Sequence, residues 1–114
     1  SKTEILQNLV DAIESNYCKF HSPQEYADEL CVSPKTLAGI VKKYLNQTTS
    51  SLISNRIIIE AKRELYLTSK PVKQVAAYLG YDDEFYFSRF FKKKVGVSPD
   101  IYRKTVGFAK LESN

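Results

Sequence analysis

The stretch Gly80-Tyr81-Asp82-Asp83-Glu84-Phe85-Tyr86-Phe87-Ser88-Arg89-Phe90-Phe91-Lys92-Lys93 decides the fold. Its spacing predicts one capped helix. Asp82-Asp83 supplies carboxylates for the unpaired amides of a helix start, and Gly96 supplies a residue tolerant of the left-handed stop. Phe87, Phe90, Phe91 and Val95 recur at helical intervals and form the buried side. Gly80 ends a preceding short helix, which opens at Pro71 and carries Val72, Val75, Ala76 and Leu79. Downstream, Ser98-Pro99 opens a last turn or two through Tyr102-Arg103, and residues 105–114 read as a tail. Two helices joined by a short turn form a helix-turn-helix, a shape suited to the DNA major groove and also common in proteins that never meet DNA.

Working back toward the start, the same pattern occurs again. Thr3 is the expected cap of a first helix with Ile5, Leu6, Leu9, Val10 and Ile13 on one stripe, fading near Asn16-Tyr17. Ser22-Pro23-Gln24-Glu25 is a capping box with proline at the first helical position, and Tyr26, Ala27 and Leu30 follow before a stop near Cys31-Val32. Ser33-Pro34 repeats the start signal, and the next helix buries Leu37, Ile40, Val41 and Leu45 before ending around Asn46-Gln47. Ala27 and Leu30 return 49 residues later as Ala76 and Leu79, and Leu37 and Lys42-Lys43 return 50 residues later as Phe87 and Lys92-Lys93. Between the two hairpins lies a helix from about Ser50 to Leu67. Its residues Ile53, Ile57, Ala61 and Leu65 fall four apart, with Leu52, Ile58 and Ile59 widening the stripe most of the way round. Such a helix is a rigid spacer of roughly 27 Å. Probes tied to it suit successive major-groove segments roughly 34 Å apart.

The predicted fold is all-α: seven helices in two helix-turn-helix subdomains joined by a long linker helix. The first subdomain takes residues 1–49, the linker 50–68 and the second 69–104. A length of 114 residues suits a single domain, and 43% hydrophobic with 26% charged residues argues against disorder. The longest apolar run, Ile57-Ile58-Ile59, is cut off by Arg56 and Glu60, far short of a membrane span. One His, two Cys 13 residues apart and no glycine-rich phosphate loop leave no constellation for catalysis, a cofactor or a metal. His21 reads as a loop residue. Cys18 and Cys31 fit a reduced cytoplasmic compartment, a single bridge between them being the other reading. No secretory segment is visible, and Ser1 in place of Met suits a piece of a longer chain. The net charge of +4 is unevenly spread. Residues 1–32 carry two basic and six acidic side chains, residues 33–70 seven and two, and residues 71–114 eight and five. The positive excess sits where a polyanion would be drawn.

These residues carry a family resemblance. The run from Gly80 through Lys93, continuing through Gly96-Val97-Ser98-Pro99 to Tyr102-Arg103, resembles the signature of the AraC/XylS family of bacterial transcription regulators, as do Arg63, Ala76 and the Val32-Ser33-Pro34 turn. The resemblance spans roughly residues 5 to 104. It implies a seven-helix DNA-binding unit of two subdomains, attached in most relatives to an N-terminal sensor or dimerisation domain absent from this chain.

The implied activity is sequence-specific binding of double-stranded DNA, with recognition helices at about 34–46 and 84–95 entering adjacent major-groove segments. The alternative is a helical protein-interaction module without DNA binding, docking for instance on RNA polymerase. In the second helix the candidate base readers are Glu84, Phe85, Ser88 and Arg89. Arg89 can fork onto a guanine, or form a surface salt bridge. Glu84 can accept from a cytosine amine, or favour the helix macrodipole. Phe85 stands where the family usually has a small polar residue, and either covers a thymine methyl or packs inward. Ser88 suits phosphate or adaptable contacts. In the first helix the equivalent surface is Lys35, Thr36, Ala38 and Gly39, and Gly39 replaces an arginine common in the family. Specificity is therefore expected chiefly from the second unit, with Lys35 making whatever base contact the first provides. Lys42, Lys43, Lys92 and Lys93, with Lys94 beside them and Arg56 on the linker, are the expected phosphate contacts.

Overall fold

The structure, a computed structural model, describes residues 1–113 and the side chains of residues 1–106; the end of the expected tail lies outside these described residues. Seven helices are found among the described residues: α1 Lys2–Asn16, α2 Pro23–Glu29, α3 Pro34–Leu45, α4 Thr49–Leu67, α5 Val72–Tyr78, α6 Glu84–Val95 and α7 Pro99–Ser113. No strand occurs among them. No helix among the described residues is long and apolar enough to cross a membrane. The chain divides into two compact units, Ser1–Ile57 and Ile58–Asn114. The division falls inside α4, so that helix contributes residues to both units.

Local signals fix most helix ends. Ser22 accepts from the Glu25 amide while the Glu25 carboxylate accepts from the Ser22 amide, a complete capping box. Asp83 accepts from the amides of Phe85 and Tyr86 at 2.8 and 3.3 Å. Helix α1 differs from expectation. Its cap is Ser1, which closes a box with Glu4, and Thr3 lies inside the helix with its hydroxyl 3.1 Å from that of Ser1. Helix α7 also runs beyond the expected turn or two, to Ser113.

The repeat extends to backbone geometry. Helices α2 and α5 both have seven residues, and α3 and α6 both have twelve. After α2 the Val32 amide reaches back to the Ala27 carbonyl at 3.0 Å, with Cys31 left-handed at φ 57°. After α5 the Tyr81 amide reaches the Ala76 carbonyl at 2.9 Å, with Gly80 at φ 90°. The same Schellman-type stop therefore shapes both turns. In the second unit glycine adopts it without strain, and in the first a cysteine does. Cys31 is an exposed thiol outside any disulfide, which removes the bridged reading. Helices α3 and α6 also end alike, at Asn46 with φ 53° and Gly96 with φ 98°.

In the first unit Leu9, Ile13, Tyr26, Ala27, Leu37, Ile40, Val41, Ile53 and Ile57 are buried. The Tyr26 hydroxyl donates to the Phe20 carbonyl at 3.0 Å, and burial pushes its pKa up to about 12. The second unit is aromatic. Tyr81 packs on Phe87 and Phe90 with centroids 5.5 and 5.9 Å apart, and Phe91 meets Tyr102 edge-on at 5.6 Å. Burial drives the Tyr81 phenol pKa strongly upward. Three apolar residues expected inside are not, Val10 on α1 among them at 43% exposed. Leu45 lies in the last turn of α3 and is exposed. Ile59 is 59% exposed because two residues' rotation turns it about 200° from the buried Ile57 line.

Candidate nucleic-acid interface

Helix α6 is held by its inner side and presents its outer side. Phe87 and Phe91 are fully buried, which fixes the rotation of the helix about its axis. The opposite arc then carries Phe85, Tyr86, Arg89, Lys92 and Lys93, all exposed. Tyr86, Arg89, Phe90 and Lys93 line one shallow groove on this face. Arg89, Lys92 and Lys93 make no ion pair among the described residues, so their charges are uncompensated. The salt-bridge reading of Arg89 loses its support. Phe85 is 68% exposed, which rules out inward packing and leaves an apolar ring on the outer face beside Arg89. Glu84 and Ser88 are half-buried at the edge of this arc rather than at its centre.

Helix α3 is held in the same way by Leu37, Ile40 and Val41. Lys35, Thr36, Ala38, Gly39, Lys42 and Lys43 are exposed. A second groove lies here, lined by Lys2, Lys35, Thr36, Gly39, Ile40 and Lys43. Four of these positions correspond, 50 residues apart, to the four that line the groove on α6. Tyr, Arg, Phe and Lys in the second unit stand where the first has Thr, Gly, Ile and Lys. A Cβ added at Gly39 would meet nothing within 4 Å, so packing does not demand glycine there. The lysines in the last turns of both helices also complement the helix macrodipole, a benefit independent of any ligand.

Arg56 does not join either face. Its Nε and Nη2 donate to the two carboxylate oxygens of Glu14 at 2.7 and 3.0 Å, and its guanidinium lies 4.2 Å from the Tyr17 ring centroid. This fork ties α4 to α1 within the first unit and turns the guanidinium expected on a phosphate to a structural pairing instead. The Arg56 guanidinium also holds the Glu14 carboxyl below its ordinary pKa. Sequence reasoning missed Tyr86 and Lys2. Tyr86 was legible from helical spacing, because positions 86, 89 and 93 share one arc. Lys2 was not, because it reaches α3 from another helix. Among the described residues, no group of three or more His, Cys, Asp or Glu is placed to hold a metal ion.

Comparison with known proteins gives four matches. A family model described as a helix-turn-helix domain matches residues 26–105. The raffinose operon transcriptional regulatory protein RafR of Pediococcus pentosaceus is 30% identical over 105 residues, 92% of this chain and 38% of that protein. The arabinose operon regulatory protein of Escherichia coli (strain K12) is 36% identical over 77 residues, 68% of this chain and 26% of that protein. Among solved structures, the C-terminal domain of AraT, a response regulator from Geobacillus stearothermophilus, matches with a TM-score of 0.81 at 31% identity, covering 89% of this chain and 84% of that one. The chain thus spans well under half the length of these two regulators.

Proposed function

The chain belongs to the AraC-type family of helix-turn-helix transcription regulators, and from that premise we propose that it is the sequence-specific duplex-binding part of a bacterial regulator acting in the cytoplasm. Each unit offers one recognition helix, α3 or α6, to a segment of major groove, and the two segments are adjacent. The work is binding; no bond is made or broken. Sequence is read chiefly by α6. Arg89 forks onto the two acceptors of a guanine, and Phe85 and Tyr86 supply apolar and polar contact beside it. Glu84 and Ser88 act from the edge of that face. On α3, Lys35 and Thr36 are within the presented arc, while Gly39 has no side chain with which to read. Lys42, Lys43, Lys92 and Lys93 grip phosphates and set register. A sensor or dimerisation domain elsewhere in the protein, and contact with RNA polymerase, belong to the same proposal and rest on the family alone.

The observation that carries this reading is the outer face of α6. Three cations without an ion-pair partner among the described residues surround exposed aromatic rings on a helix whose inner side is locked by Phe87 and Phe91. Arg89, at the centre of this face, has neither an ion-pair partner among the described residues nor a place in the last turn that the helix macrodipole would explain. The test is binding to arbitrary duplex across a salt series. A log–log decline with a slope of several units is expected, since each neutralised phosphate contributes about 0.9. Absence of duplex binding even in dilute salt would favour the docking module.

A further inference from the structure

We propose that Lys2, on the first turn of α1, is a DNA-backbone contact, and that with Lys35 and Lys43 it forms a phosphate seat over Gly39. This rests on the duplex-binding reading above and assigns the first unit a chemistry different from that of the second. The duplicated grooves carry the argument. In the second unit the groove is lined by Tyr86, Arg89, Phe90 and Lys93, a guanidinium flanked by rings that suits a base edge. At the corresponding place the first unit has lost both rings and the guanidinium, and gained ammonium groups. Three lysines line it, one of them brought in from α1, and among its lining residues none is acidic. Ammonium groups are point charges without the planar fork that reads guanine, and they suit a phosphodiester oxygen. Gly39 leaves the floor open, with nothing within 4 Å of its missing side chain. Lys2 also has no ion-pair partner among the described residues.

The experiment compares duplex affinity across a salt series for the unaltered chain, Lys2→Ala, Lys2→Arg and Lys19→Ala. Lys19 is exposed in the same unit but outside the groove, so its removal controls for net charge. Lys2→Ala should flatten the salt slope by about one unit and weaken binding on the order of fivefold to tenfold near 0.1 M salt. That loss should be equal on matched and scrambled duplexes. Lys2→Arg should restore the slope, and Lys19→Ala should leave it unchanged. Equal slopes for Lys2→Ala and Lys19→Ala would overturn the proposal. So would a change in sequence preference on losing Lys2, which would make it a base reader. Stronger competition by inorganic phosphate than by chloride of equal ionic strength, abolished in Lys2→Ala, would instead make the seat a free-anion site. If the unaltered chain bound no duplex, the underlying reading would fail first, and visibly so.

Discussion

Arg89 and Gly39 occupy the same place in the two repeats, and the contrast between them is the sharpest feature at the scale of single residues. A guanidinium at the centre of an exposed arc can discriminate a base; a missing side chain cannot. Arg89→Ala should lose about 1–3 kcal/mol of duplex affinity and relax preference at one base pair. An unchanged preference profile, measured by binding to single-base variants of a preferred site, would remove Arg89 as a reader. Gly39→Ala makes the opposite kind of test. Glycine within a helix costs roughly 1 kcal/mol relative to alanine, and the new methyl would meet nothing within 4 Å. Denaturant unfolding should therefore show a gain of up to about 1 kcal/mol, with duplex affinity little changed. A large loss of affinity would mean instead that the α3 backbone approaches DNA closely at this position.

Helix starts and stops were the most legible elements, because their chemistry is local. Ser22 with Glu25 and Asp83 with the amides ahead of it needed no tertiary information. Gly80 and Gly96 were similarly readable as stops, and the structure places both at positive φ. What escaped sequence reading depends on contacts between elements. The charge of Arg56 suggested a phosphate, yet Glu14 and Tyr17 lie 42 and 39 residues away in sequence and claim it. Phe85 could be assigned to neither face until Phe87 and Phe91 fixed the rotation of α6. Lys2 joins the α3 groove across an inter-helix packing that no spacing rule displays. The Arg56–Glu14 fork makes a pH prediction. Its carboxyl pKa is lowered in the folded state, so its contribution is complete above the unfolded value and disappears as pH falls through the folded one. Glu14→Gln should therefore lower the thermal midpoint at pH 7, and the deficit should shrink toward zero below about pH 4. A deficit that persists undiminished in acid would show that packing, rather than charge, is what Glu14 contributes.

For the molecule as a whole, a duplicated helix-turn-helix with unequal faces implies a division of labour along the DNA. The repeat itself was visible in the sequence through Ala27 with Ala76 and Lys42-Lys43 with Lys92-Lys93. Its asymmetry was visible only in part, through Gly39 against Arg89. The wide apolar stripe of the linker pointed to packing on more than one side, and the division between compact units falls within α4 at Ile57–Ile58. Each unit keeps its own buried core behind its recognition helix. The most direct measurement is to select preferred sites from random duplexes, then footprint them and scramble one segment at a time. Two protected patches about one helical turn apart are expected. Scrambling the patch under α6 should abolish preference, and scrambling the one under α3 should cost little. Equal losses from either patch, or protection confined to a single patch, would contradict the proposed division between reading and gripping.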